Sequence, residues 1–175
     1  MGFYILTEED KTIYRDTMLE MMKNSDHEFV PPLSSRTSTT QKTLTACVAT
    51  GDITPYFNEM LRQEIVGVFD DEKLIGYLSY RLDYTNNVIG DNTLPNIYLS
   101  TLIIRPDSRG KGLTAALYRY LFGEVFSERN IYTRTWSTNG AHIHILLNKC
   151  GFHEIFRVKN GRGAGIDTVY YELKR

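Results

Sequence analysis

An apolar run, a glycine-bearing turn and an amphipathic helix follow one another between Ile97 and Val125, and this succession constrains the fold more than any other stretch. The run Ile97-Tyr-Leu-Ser-Thr-Leu-Ile-Ile104 predicts a strand buried on both faces. After Arg105-Pro-Asp-Ser-Arg-Gly-Lys-Gly-Leu-Thr114, the residues Leu113, Leu117, Tyr120, Leu121 and Val125 recur at steps of three or four, which predicts one apolar helix face. A strand that turns directly into a helix aims backbone N–H groups outward at the positive end of the helix dipole. That is an anion site, suited to a phosphate or diphosphate. Gly110 and Gly112 favour it, because without a Cβ the main chain can be approached closely.

The pattern on either side predicts a mixed α/β chain. A strand near Phe3–Leu6 precedes a helix capped by Thr7 and running to about Lys23, with Ile13, Met18 and Met22 inward. Pro31 and Pro32 exclude a helix through the following turn-rich stretch. Helices are expected over Thr40–Thr50 and within Pro55–Arg62. The runs Ile65–Phe69 and Leu74–Leu82, joined by Asp70–Lys73, predict an antiparallel hairpin, and Thr85–Pro95 a polar loop. Ile131–Trp136 reads as the next strand. Asn139–Cys150 reads as a helix with Ile143, Leu146, Leu147 and Cys150 on one side, closed by Gly151. Phe152–Val158 and Thr168–Leu173 form a last strand pair around Lys159–Gly165. The expected architecture is one domain over residues 1–175: a mixed sheet with helices on both faces.

Bulk composition excludes more than it selects. The chain has 175 residues, 42% of them hydrophobic, and a net charge of −1, the profile of a soluble globular protein with a sizeable core. Its Lys and Arg are dispersed, so nothing marks a nucleic-acid or anionic-membrane surface. No apolar run approaches the ~20 residues of a membrane span. The first ten residues lack the cationic flank of a signal peptide, and Leu6 breaks the myristoylation pattern that Gly2 begins. Cys47 and Cys150 have neither metal nor redox spacing, and a cytoplasmic protein with free thiols is expected. His142 and His144 would point to different helix faces, so no metal site is expected.

Three readings compete for the glycine turn. Gly110-Lys-Gly-Leu-Thr-Ala115 fits a dinucleotide fingerprint, but the next strand runs into Trp136-Ser-Thr-Asn139 without the acid that would hold a ribose. The turn could also serve only to pack a helix on a strand. The third reading rests on two motifs. Arg109-Gly-Lys-Gly-Leu-Thr114 after Leu102-Ile-Ile-Arg-Pro106 resembles the Gln/Arg-x-x-Gly-x-Gly/Ala signature of the Gcn5-related N-acetyltransferase (GNAT) family. Asn139 with Leu147-Asn-Lys-Cys-Gly-Phe152 resembles the family's next motif, which closes in Lys-x-Gly-Phe. The order of elements from Phe3 to Leu173 matches as well.

The resemblance implies a central mixed sheet with a splayed strand pair and an acyl-CoA-dependent N-acyltransferase, with acetyl-CoA as cosubstrate. Backbone N–H groups of Arg109, Gly110, Lys111, Gly112, Leu113 and Thr114 would hold the diphosphate. The edge of Leu102, Ile103 and Ile104 would pair with the pantetheine amides, with a main-chain N–H near Ile103 or Ile104 on the thioester carbonyl. Asn139 would contact the pantetheine arm or its neighbourhood. The acceptor would be a small-molecule amine, an amino-acid derivative or a peptide, bound by the first helices and the Phe29–Arg36 loop, in a monomer or a homodimer. Two positions depart from the pattern: Thr114 replaces Gly or Ala, and Leu147 replaces the tyrosine that many members use as general acid. A thiol pKa of about 8.5 makes an unassisted thiolate a fair leaving group. No general base is assigned, with Asp83, Tyr84, Tyr98 and His144 the residues nearest the expected cleft. A non-catalytic acyl-CoA sensor is the alternative.

Overall fold

The computed structural model describes residues 1–45, 51–87, 96–126 and 128–175. Seven strands form a mixed sheet: β1 (Gly2–Ile5), β2 (Glu64–Asp70), β3 (Lys73–Arg81), β4 (Ile97–Ile104), β5 (Ile131–Trp136), β6 (His153–Val158) and β7 (Thr168–Leu173), in the order β1-β2-β3-β4-β5-β7-β6. The helices are α1 (Glu8–Ile13), α2 (Arg15–Ser25), α3 (Thr54–Leu61), α4 (Leu113–Tyr120) and α5 (Gly140–Lys149). The chain divides into two compact units, Met1–Tyr80 with Ser100–Arg109, and Arg81–Leu99 with Gly110–Arg175.

In the first unit, Thr7 caps α1 through a reciprocal box: its Oγ1 accepts from Asp10 N–H at 3.1 Å, and Asp10 accepts from Thr7 N–H at 2.9 Å. The single helix expected to Lys23 is two, divided at Tyr14. With α1 separate, Ile13 falls outside the buried stripe and is 64% exposed, whereas Met18 and Met22 are buried as expected. Met18, Met21 and Met22 of α2 join Tyr56, Phe57 and Met60 of α3, Ile65 and Phe69 of β2, Tyr77 of β3 and Ile103 of β4 in one core. Buried hydroxyls there are paired, Tyr56 with Thr101 at 2.8 Å and Tyr77 onto Met18 O at 3.2 Å.

The helix expected over Thr40–Thr50 does not form in its described part, Thr40 to Thr45; the remainder lies outside the described residues. Local side chains take the backbone donors instead: Thr37 N–H goes to Gln41 Oε1 at 2.9 Å and Thr39 N–H to Glu59 Oε2 at 3.1 Å. Most of the expected Thr85–Pro95 loop lies outside the described residues too.

In the second unit, the parallel β4–β5 ladder comprises Ile97↔Ile131, Tyr98↔Tyr132 and Leu99↔Thr133. The ladder ends at Leu99↔Thr133, although β4 continues to Ile104 and β5 to Trp136. A break in β4 accompanies that end. Ile97 N–H donates to Asn130 O, next to β5, while Arg105 N–H donates to Ile75 O on β3. Residues an even number apart would point the same way in an unbroken strand, so β4 carries an irregularity between them. Helices α4 and α5 meet through Tyr118 OH and His142 Nε2 at 2.7 Å. Leu113 and Leu117 of α4 and Leu121 just after it are buried as expected, and Tyr118 and Phe122 join them; Tyr120 and Val125, also expected on that face, are only half-buried. On α5 the expected apolar side is narrower than its sequence: Leu146 is fully buried, but Leu147 is 41% exposed.

Candidate functional site

The glycine turn has the backbone that its residues call for. Arg105 leads into a single 3-10 turn, Pro106–Ser108, and Gly110 and Gly112 take left-handed φ of 78° and 74°. Only glycine adopts these values without strain. Gly112 is the N-cap of α4 and offers no side chain to the helix. Ala116 N–H is the first to close a turn, onto Gly112 O at 3.0 Å. Among the described residues, the N–H groups from Gly110 through Ala115 donate to nothing. A Cβ built on Gly110 or Gly112 meets no atom within 4 Å, so the space over these amides is open. Free donors, an open approach and the positive end of a helix dipole together can hold a diphosphate.

Arg109 plays a different part from its neighbours. Its N–H donates to Pro106 O at 3.3 Å, which takes it out of the free run. The guanidinium donates to Ile104 O at 2.8 Å and pairs with Glu28 at 2.9 Å, so it ties the strand end to the turn. Lys111 is exposed, and Thr114 lies half-buried in the first turn of α4. On β4, Ile103 is buried among the core residues while Leu102 is half-buried. Arg105 N–H points to β3, so alternation directs Ile104 to the opposite edge. Ile104 O confirms that direction by accepting from Arg109 rather than from β3.

Asn139 is the N-cap residue of α5, and Asn139 Nδ2 donates to Thr135 Oγ1 at 3.0 Å. Its Oδ1 has no partner among the described residues. The acid–base candidates are dispersed. Asp83 is exposed at a positive φ of 54°. Tyr84 stacks on Tyr98 at 4.4 Å, and burial pushes its hydroxyl up to about 12. His144 is exposed beside Asn148. His142, one turn into α5, is held neutral by burial, with its pKa pushed down to about 4. Among the described residues no group of three His, Cys, Asp or Glu side chains could hold a metal, and no helix is long and apolar enough to cross a membrane.

Sequence spacing missed two features here. One is the Tyr118–His142 contact between α4 and α5. The other is a cavity of about 220 Å³ in the first unit, where α2 faces the end of β4. Neither has a local motif; each is made by residues that only tertiary structure brings together.

Comparison with known proteins places this geometry. The solved structures that resemble the chain over nearly its whole length include a ribosomal-protein-alanine N-acetyltransferase from Brucella melitensis (15% identity, TM-score 0.66, 100% of each chain). Also similar are an aminoglycoside 6'-acetyltransferase type Ii (16% identity, TM-score 0.69, 99% of this chain and 97% of that one) and yncA from Salmonella typhimurium, solved with its cofactor acetyl-CoA (15% identity, TM-score 0.64, 99% and 94%). At these identities the likeness is one of fold. No curated protein matches the chain in sequence. The model of the acetyltransferase (GNAT) family matches residues 36–152, a stretch that holds both the glycine turn and the Asn139–Phe152 motif, and the chain belongs to that family.

Proposed function

We propose that the protein is an acyl-CoA-dependent N-acyltransferase that moves an acetyl group from acetyl-CoA to a primary amine. The observation that carries this reading is the run of free, uncovered amides from Gly110 to Ala115. Those of Gly110, Lys111, Gly112, Leu113 and Thr114 would bind the diphosphate of the coenzyme, with Arg109 bracing the turn from behind.

The bound coenzyme supplies an activated thioester; the chain supplies position and polarity. The edge of β4 from Leu102 to Ile104, where Ile104 O already accepts from Arg109, would pair with the pantetheine amides. Because Ile103 and Arg105 turn toward β3, the Ile104 N–H is the donor better directed to meet the thioester oxygen as charge develops on it. Asn139 would contact the pantetheine arm through its unpartnered Oδ1. A lysine-like amine with pKa near 10.4 must shed a proton to attack, which costs roughly 4–5 kcal/mol at neutral pH. Leu147 can donate no proton, so the thiolate leaves unassisted, as a thiol pKa of about 8.5 permits.

This reading takes residues 1–175 as one catalytic domain, cytoplasmic, acting as a monomer or a homodimer on a small amine, an amino-acid derivative or a peptide. Titration calorimetry with coenzyme A and acetyl-CoA tests it, followed by thiol release over a panel of amines. Binding heat, a raised melting temperature and amine-dependent thiol release are expected. No heat and no thermal shift would overturn the assignment. Tight binding without thiol release across a broad panel would favour the acyl-CoA sensor, a reading that the absence of a proton donor at Leu147 supports.

A further inference from the structure

The hydrogen bond between Tyr118 OH on α4 and His142 Nε2 on α5, 2.7 Å long, fixes more than the spacing of two helices. Its surroundings decide which partner donates. Tyr118 is only 1% exposed, and its hydroxyl bonds to nothing else among the described residues. Were Nε2–H the donor, the phenolic hydrogen would be buried without an acceptor, the costly arrangement for a hydroxyl. Tyr118 therefore donates and Nε2 accepts. Burial pushes the phenol pKa well up and the imidazole pKa down, so the first stays protonated and the second neutral. A neutral ring that accepts at Nε2 carries its one hydrogen on Nδ1. A residue of the neighbouring helix thus sets the tautomer of His142.

The Nδ1–H so defined meets no acceptor among the described residues. His142 is half-buried and Nδ1 is not a buried orphan, so this donor is open to a ligand. Its place on the helix is telling. His142 follows Asn139 by three residues, which puts it on the same side of α5 as the unpartnered Asn139 Oδ1. Tyr118 follows Thr114 by four, one turn behind the free amides that open α4. The bond therefore ties together the first turns of both helices. It leaves one donor and one acceptor a turn apart on α5, which suits a ligand that carries amide carbonyls and amide N–H groups along one chain.

We infer that His142 is a coenzyme-binding residue, its Nδ1–H donating to an amide carbonyl of the pantetheine arm, and that Tyr118 is the positioning residue that holds it in the donating tautomer. The inference rests on the transferase reading and adds to it a contact that the glycine turn and β4 do not supply. It also limits what His142 does. A neutral imidazole that keeps its hydrogen on Nδ1 brings no charge to the diphosphate and no proton to the departing thiolate, so it does not replace the missing acid at Leu147.

The test has two readouts. Nitrogen-15 spectra of the histidine rings, recorded without coenzyme, should show His142 protonated at Nδ1 and bare at Nε2; the reverse would overturn the inference. Calorimetry then compares coenzyme A with ADP, which has the diphosphate and lacks the arm. His142→Phe should weaken coenzyme A roughly five- to tenfold, the worth of one hydrogen bond, and leave the Kd of ADP unchanged. Tyr118→Phe keeps the ring and deletes one hydroxyl, so it carries the test should His142→Phe fail to fold. It should let both tautomers appear in the spectra and weaken coenzyme A about two- to threefold. Coenzyme A affinity indifferent to both substitutions, or coenzyme A and ADP weakened alike, would overturn the inference and leave the transferase reading intact. Wild-type protein that binds neither compound would overturn both.

Discussion

Two glycine-rich loops in the second unit look alike in sequence and differ in what their amides do. Gly110-Lys-Gly112 leaves its donors free, whereas Asn160-Gly-Arg-Gly-Ala-Gly165 spends its own internally. In the latter, Gly161 N–H donates to Val158 O at 3.1 Å, Gly163 N–H to Asn160 O at 3.1 Å, and Gly165 N–H to Asn160 Oδ1 at 2.7 Å. Arg162 N–H donates to Ile166 O and Ile166 N–H to Gly163 O, both at 3.0 Å. Space separates them only at Gly161: a Cβ there would sit 2.8 Å from Thr168 Oγ1 and 3.0 Å from Val158 O, whereas one on Gly112, as on Gly163 or Gly165, would touch nothing within 4 Å. Glycine content alone does not mark an anion site; uncommitted donors beneath open space do.

The substitution that breaks this comparison most strongly is Gly112→Asp. It sets a carboxylate beside the proposed diphosphate and forces a side chain onto a φ of 74°. Coenzyme A affinity should fall at least about a hundredfold, nearly 3 kcal/mol, by calorimetry. The fold should lose only the ~1–3 kcal/mol of the backbone strain. An unchanged Kd would remove the diphosphate from this turn. Gly161→Ala is the mirror case. Its added methyl meets backbone and a strand side chain, so stability should drop by about 1–3 kcal/mol in denaturant unfolding, while the coenzyme Kd stays at its wild-type value. A loss of binding there would mean that the two loops are not separable in function.

How far the sequence reached follows from where its signals are local. The strand Thr168–Leu173, the helix cap at Thr7 and the glycine turn were legible because periodicity and turn chemistry act within a few residues. The Thr40–Thr50 expectation failed over its described residues because Thr37, Thr39 and Gln41 have hydrogen-bond choices that a helix pattern ignores. Leu147 misled in another way: α5 buries Leu146 completely, but its neighbour on the spiral turns outward. Arg109 showed in sequence as part of the amide run, yet its bonds to Pro106, Ile104 and Glu28 need the folded chain to be seen. The cavity beside α2 is the extreme case, because its two walls lie in distant parts of the sequence.

The second loop also has a pH signature. Asp167 accepts from Asn160 N–H at 2.9 Å and pairs with Arg157 at 3.0 Å. These contacts, the backbone bond first, hold its carboxyl below the ordinary 3.8. A carboxyl with a depressed folded pKa stabilises the fold at pH above its unfolded value, and that contribution fades as the pH falls through the folded one. Melting temperature should therefore decline on acidification below about 4, and Asp167→Asn should make the decline shallower while lowering the plateau slightly at neutral pH. An identical acid profile in the variant would mean that this carboxylate does not hold the loop.

The smallest effect is the most discriminating for the first loop, and it concerns Lys111. A lysine between two glycines invites the view that its charge binds the phosphates. The geometry argues otherwise: Lys111 is exposed, whereas the free amides are fixed by backbone that two left-handed glycines hold in place. An exposed lysine contributes at most about 1 kcal/mol to such a pair, and salt screens it further. Lys111→Ala should therefore weaken coenzyme A binding less than about fivefold, with a shallower salt dependence. A hundredfold loss would transfer the anion site from the main chain to a side chain, and the contrast between the two loops would then come from one lysine and not from their unpaired amides.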